Sequence, residues 1–324
     1  MRSDAEVKVR MSSWRWIARA GCAAAVALPL VATGCGGGSD GSRFGGAGPA
    51  DEARALMEQG RLDEALARLE GAPSEPEVIF VQGLIWTKKA ELAPPPEPAG
   101  EGREPPEFKL EERNALAFFE TLTAAVPDHA GAHLAIAELL APHALKRLET
   151  QRSRRRRAEP TPDPEQPDSS VERIVREIDA AIAADQTAAP ADALIGFCTA
   201  VRDLDCAERG YRLLPERQPE RAEPHRRLGD FLLEEREDVD AAIQQYDLAL
   251  VWAPDDAPED AEIRAKVAGL YLSRAEAQLG ERRWAAADQA IKSARRYIAS
   301  PGSPAAKRAA ELEASLAQQS GRRF

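Results

Sequence analysis

Apolar residues recur along this chain at three- and four-residue intervals, in segments that end at Gly or Pro, and they predict paired amphipathic helices rather than strands. The first pair runs from near Asp51: Ala53 and Met57 make one face, Gly60 interrupts it, and Leu62, Ala65 and Leu69 resume it before Pro76. A second begins at Val78 and returns through Ala115, Phe119 and Leu122 to Pro127. In the third, Ala132, Ile136, Ala137 and Leu140 face Ile174, Ile178 and Ala181. The fourth pairs the segment from Ala191 with Ala207, Tyr211 and Leu214, and ends at Pro219. Leu228-Gly229 and Leu232, then Ala242, Tyr246 and Ala249 before Pro254, form the fifth. The sixth carries Trp284, Ala287, Ile291 and Ala294 on its second helix. A last helix, Ser303 to Gln319, fits a terminal cap.

The residue that opens each second-helix pattern sets a register: Ala65, Ala115, Ile174, Ala207, Ala242 and Ala287, at intervals of 50, 59, 33, 35 and 45 residues. Two intervals lie within one residue of a 34-residue period. The longer three coincide with sequence of loop character: a Pro-rich stretch near 94–107, an Arg-rich one near 150–169 and an acidic connection near 254–261. Small residues at these positions let two helices approach closely, and Ile174 is the one large residue in the set.

The order Leu-Gly-x2-Leu, then Ala-x3-Tyr and a closing Pro, in the fifth pair resembles the tetratricopeptide repeat. That resemblance extends over roughly residues 51–302 and implies an all-α fold: a tetratricopeptide-repeat α-solenoid of about six helical hairpins plus a C-terminal capping helix, occupying 51–319. In that family the first helix of each hairpin lines a groove for a peptide or partner helix. The resemblance therefore places Glu223, Arg226, Asp230 and Glu234 on a partner-binding face of the fifth hairpin, with Leu134 and Glu138 as counterparts on the third. The same face could instead be a solvated polar stripe. The family's chaperone-binding members clamp a carboxylate with a Lys/Asn set, whereas the matching places here hold Arg226 and Asp230.

The N-terminus changes the picture from fold to location. Arg15 and Arg19 precede an apolar run from Gly21 to Val31, a signal-peptide pattern too short to span a bilayer, which needs ~20 residues. Leu30-Val31-Ala32-Thr33-Gly34-Cys35 resembles a bacterial lipobox, with Ala32 where most have leucine. The resemblance implies a signal peptide over 1–34, lipidation of Cys35, and a Gly/Ser-rich tether over 35–50. The alternative is an ordinary cleaved signal with a coincident cysteine. Lipoproteins carrying such repeats are similar to outer-membrane assembly and type IV pilus biogenesis lipoproteins and to adaptors of peptidoglycan hydrolases. Gly36, rather than Asp, after Cys35 fits outer-membrane sorting by the rule of some bacteria.

Net charge is −11 in 324 residues, and −14 once the five basic and two acidic residues of 1–34 are set aside. That sign argues against nucleic acid as a partner. The one strong basic run, Arg152 and Arg154 to Arg157, sits beside Glu159, Asp163 and Glu165, and reads either as a contact for an anionic surface or as a solvated loop.

Candidate chemistry is sparse. Cys198 and Cys206 lie eight apart across a turn, and are either a disulfide pair of an oxidising compartment or two small apolar core residues. His129 and His133 have helical metal-pair spacing but lack a Glu beside the first and a third ligand, so no metal is assigned. With His143 and His225 the only other histidines, no catalytic set can be drawn and no cofactor motif is present. The reading is thus a non-enzymatic, lipid-anchored adaptor whose partners are other envelope proteins or peptides. The alternative is an envelope receptor for a small ligand or glycan, which requires a deep pocket lined by aromatics such as Trp86, Trp252 or Trp284.

Overall fold

A computed structural model describes residues 48–96, 106–157, 169–253 and 258–321. Among them lie thirteen α-helices and no strand. In chain order they are α1 (Pro49–Glu58), α2 (Leu62–Leu69), α3 (Pro76–Leu92), α4 (Leu110–Ala125), α5 (Ala130–Arg157), α6 (Ser169–Ala184) and α7 (Ala189–Val201). They continue as α8 (Leu204–Arg217), α9 (Ala222–Glu234), α10 (Val239–Trp252), α11 (Pro258–Gly280), α12 (Trp284–Tyr297) and α13 (Pro304–Ser320). The chain divides into two compact units, 1–203 and 204–324. The division falls in the turn of the fourth predicted hairpin, between α7 and α8.

Within each unit, helices adjacent in sequence pack as hairpins: α1 on α2, α3 on α4 and α5 on α6 in the first, α9 on α10 and α11 on α12 in the second. This is an all-α array of helical hairpins. All six register residues, Ala65, Ala115, Ile174, Ala207, Ala242 and Ala287, are 0% exposed. The alternation of small and large positions is therefore a contact requirement and not a composition bias.

The glycines of two first helices make that requirement explicit. A Cβ placed on Gly83 would sit 2.5 Å from the Phe119 ring, and one on Gly229 would sit 2.8 Å from the Tyr246 ring. Both rings are fully buried. These two hairpins thus cross where one helix has no side chain and the other has a buried aromatic ring.

Turns inside the hairpins share a geometry. Gly60, Arg202 and Arg282 adopt left-handed backbone at φ 77, 66 and 60, and the next amide donates back five residues, Arg61 to Leu56, Asp203 to Cys198 and Arg283 to Gln278, at 2.8–2.9 Å. These are Schellman closures, which satisfy carbonyls at a helix end. In the fifth hairpin the turn has one residue more: Glu237 takes φ 55 and the Asp238 amide reaches Leu232.

Two expectations are corrected. The Arg-rich segment assigned to a loop from about 150 is helical as far as Arg157, because α5 continues past Pro142 for several turns. The acidic connection is shorter than 254–261, since α11 begins at Pro258. The cap starts as expected, with the Ser303 hydroxyl accepting the Ala306 amide at 3.2 Å. It buries Ala309, Leu312 and Leu316 with Leu272, Ala287 and Ile291 of α11 and α12. The leader, Cys35 and the tether as far as residue 47 lie outside the described residues, as does the core of the Pro-rich insertion; the tether ends before 50, because Pro49 and Ala50 already open α1.

The crossings and the turns each generate a stability prediction. Gly229→Ala should cost about 1–3 kcal/mol, because the added methyl must displace a buried ring; a lowered thermal midpoint checks it, and an unchanged one contradicts the crossing geometry. Arg282 is exposed and strained. Arg282→Gly should therefore stabilise by up to about 1 kcal/mol in chemical denaturation.

Candidate functional site

The residues assigned to the partner face of the fifth hairpin do share one side of α9, since spacings of three and four residues superimpose on a helix. Glu223 and Glu234 are exposed. Arg226 and Asp230 are half-buried, and Asp230 is engaged from within the fold. The Tyr246 hydroxyl donates to its Oδ1 at 2.8 Å and Lys266 Nζ of α11 does so at 2.7 Å. Arg226 Nη1 approaches Oδ2 at 3.4 Å. Burial, and then the bond to Asp230, push the Tyr246 hydroxyl pKa well above the ordinary tyrosine range. Asp230 is thus a structural acceptor joining three helices, while Glu223, which Arg227 Nε approaches at 3.6 Å, and Glu234 are the exposed carboxylates of that face.

On the third hairpin, Leu134 and Glu138 are both partly exposed on α5. Burial, aided by the nearby Glu91 carboxylate, raises the Glu138 pKa to about 7. Its proton is therefore held in the folded chain over a range where the unfolded chain has released it.

The opposite side of α9 forms the floor of an open groove of about 670 Å³, with α8 as one wall and α10 as the other. His225, Leu228 and Leu232 supply the floor, and Gln245 and Leu248 part of the α10 wall. Arg236 bridges Asp205 and Glu208 of α8, and Arg212 also pairs with Glu208 at 2.5 Å. Sequence reasoning missed this hollow, because it needs three helices and lies on the side of α9 away from the predicted face.

It also missed a repeated histidine latch. His133 Nε2 donates to the Pro127 carbonyl at 2.8 Å and its Nδ1 meets Glu177 of α6 at 2.7 Å. His225 does the same with the Pro219 carbonyl at 3.1 Å and Gln245 of α10 at 3.0 Å. Each ties the entry of a hairpin to its second helix. The signal was available as Pro-x5-His, at Pro127–His133 and again at Pro219–His225. The considered metal partner His129 instead packs on the Phe80 ring at 4.8 Å. Among the described residues no group of three or more His, Cys, Asp or Glu could hold a metal, and no helix is long and apolar enough to cross a membrane.

Trp284 packs against the core of α11–α13, Trp86 lies half-buried under Lys89, and Trp252 is exposed at the end of α10. No Phe, Tyr or Trp side chain lines the groove. Cys198 is fully buried near the end of α7, and Cys206 lies in the first turn of α8, in the other unit.

No protein-family model matches the chain, and no curated protein does. Among solved structures it is similar to TTC0263, a thermophilic tetratricopeptide repeat protein of Thermus thermophilus, at 18% identity over 68% of this chain and 96% of that one, TM-score 0.36. It is similar to PilF of Pseudomonas aeruginosa at 14% identity over 82% and 95%, TM-score 0.38. A tetratricopeptide repeat protein of Parabacteroides merdae matches at 14% identity over 83% and 82%, TM-score 0.35.

The raised Glu138 pKa fixes a sign. The folded chain binds the proton more tightly than the unfolded one, so this group's contribution lowers stability as pH rises from the ordinary carboxylate range through about 7. Glu138→Gln should raise the thermal midpoint at pH 8 and change it little at pH 5; an equal shift at both values contradicts the assignment.

Proposed function

We propose that this chain is a non-catalytic, lipid-anchored repeat protein that gathers other proteins or peptides in a bacterial cell envelope, at an outer membrane facing the periplasm. The observation that carries it is the pairing of two features. One is an array of helical hairpins whose outward side chains are charged and unburied, as at Glu223 and Glu234. The other is the sequence Leu30 to Cys35 with a Gly/Ser-rich stretch behind it. Diacylation at Cys35 would bind a membrane through buried methylenes at about 0.8 kcal/mol each, leaving the hairpins in the aqueous phase. Tetratricopeptide folds generally serve protein contacts, and a fold of this kind offers surface rather than a reaction cleft. In the same compartment Cys198 and Cys206 would pair as a disulfide across the turn at Arg202-Asp203.

The internal role of Asp230 decides where the contact face is tested. Because Asp230 is needed within the fold, charge reversal belongs at Glu223 and Glu234. In cells, Cys35→Ser should move the protein from the membrane fraction to the soluble periplasm and abolish palmitate labelling. Glu223→Lys with Glu234→Lys, in the anchored chain, should cut recovery of cross-linked partners by about tenfold, the effect of ~1.4 kcal/mol. Retention of the Cys35→Ser protein in membranes would remove the anchor. Unchanged recovery with the double reversal would remove the face.

A further inference from the structure

The groove between α8 and α10 has two properties that the packing of its own unit leaves unused. The first is apolar. Leu228 and Leu232 are buried at its floor, yet Leu248 on the α10 wall is 41% exposed. Helical spacing carries that line one turn on to Trp252, 42% exposed, with Val251 at 68% beside it. Three large apolar side chains in five consecutive positions of one helix are thus open to water. Among the described residues the other large apolar side chains so exposed are Leu92 and Leu110, each standing singly at a helix end.

The second property is electrostatic. Both guanidiniums at the groove have carboxylate partners: Arg236 is shared by Asp205 and Glu208, and Arg212 is held by Glu208. Two carboxylates at the rim have no cation among the described residues. Asp238 is exposed, and only caps α10 by accepting the Ala241 amide at 3.0 Å; Glu216 is exposed near the end of α8. These stand at opposite ends of the groove. The span of α8 from Asp205, beside Asp238's end, to Glu216 is eleven residues, or about 16 Å, three helical turns.

We propose that this groove receives an amphipathic helix of a partner protein, with leucine-sized side chains along one face and Lys or Arg at both ends of that stripe, about three turns apart. Its apolar face covers Leu248, Val251 and Trp252, and its two basic ends meet Glu216 and Asp238. This rests on the protein-binding reading above, but uses the side of α9 opposite Glu223 and Glu234. One helix would then present two independent contact faces.

The test uses the purified chain without its leader and two fluorescein-labelled helical peptides of about 18 residues, five turns, one of Leu and Lys and one of Leu and Glu. Fluorescence anisotropy should give the Leu/Lys peptide an affinity at least about tenfold above the Leu/Glu peptide. Leu248→Asp with Val251→Asp alters only exposed positions and should weaken it by at least about tenfold, and Glu216→Lys by several-fold. Glu223→Lys with Glu234→Lys should leave it unchanged. Equal binding of the two peptides, or indifference to the Leu248 and Val251 changes, overturns the proposal. So does a dimeric chain that becomes monomeric in the Leu248→Asp, Val251→Asp variant, because a second copy would then be the occupant. Failure here alongside partner loss from membranes in the Glu223, Glu234 variant would leave the adaptor reading standing. Groove binding with no partner recovered from membranes would do the reverse.

Discussion

Two helices can lie against each other at full contact only if one of them yields space at the crossing. In this chain the yielding positions are Gly83 and Gly229, set against the buried rings of Phe119 and Tyr246. Behind them come the register residues, five alanines and Ile174, all fully buried. Everything outward depends on that approach. In the fifth hairpin it brings the second helix near enough for His225 to reach Gln245 while the histidine still holds the proline carbonyl before its own helix. It also brings Tyr246 to Asp230, so that a side chain on the outward face of α9 becomes an acceptor for its own hairpin and for Lys266 of the next.

Between hairpins the contacts change character. Arg274 pairs with Asp240, Tyr297 donates to Asp247 at 2.7 Å, and the cap is tied back by its Arg308 to Glu276 and by its Glu313 to Arg295. Most of these pairs are solvent-accessible, and exposed ion pairs contribute roughly 0–1 kcal/mol each. Where the pairing runs out, at Glu216 and Asp238, the surface has charge to spare. Where apolar burial runs out, at Leu248, Val251 and Trp252, it has contact area to spare. Glu216, Asp238 and Leu248 line one groove, and Val251 and Trp252 follow Leu248 on the same helix.

The hairpins were legible in the sequence because small and large positions alternate in a fixed phase, and that phase survives insertions. Ala242 and Tyr246 could be placed by counting. The turns were legible only where glycine marked them: Gly60 was read as a break, whereas Arg202 and Arg282 adopt the same left-handed backbone with nothing in their chemistry to announce it. The Arg-rich segment has the composition of a loop, yet arginine is a good helix former and α5 runs through to Arg157. His133 has metal-site spacing from His129, but the spacing that sets its contacts is the six residues from Pro127. The outer groove had no signature at all. Its floor and walls come from three helices, and its apolar rim becomes visible only when burial elsewhere is known.

The close crossing is the central claim, and a double-mutant cycle between Gly83 and Phe119 tests it most directly, because that ring makes no hydrogen bond to confuse the reading. Gly83→Ala and Phe119→Leu are each made alone and then together, and the unfolding free energies compared. If the crossing is set by one absent side chain and one large one, the methyl should be costly against phenylalanine and nearly free against leucine, giving a coupling of about 0.5–3 kcal/mol. Strictly additive effects would mean that the two positions do not meet, and would contradict the account.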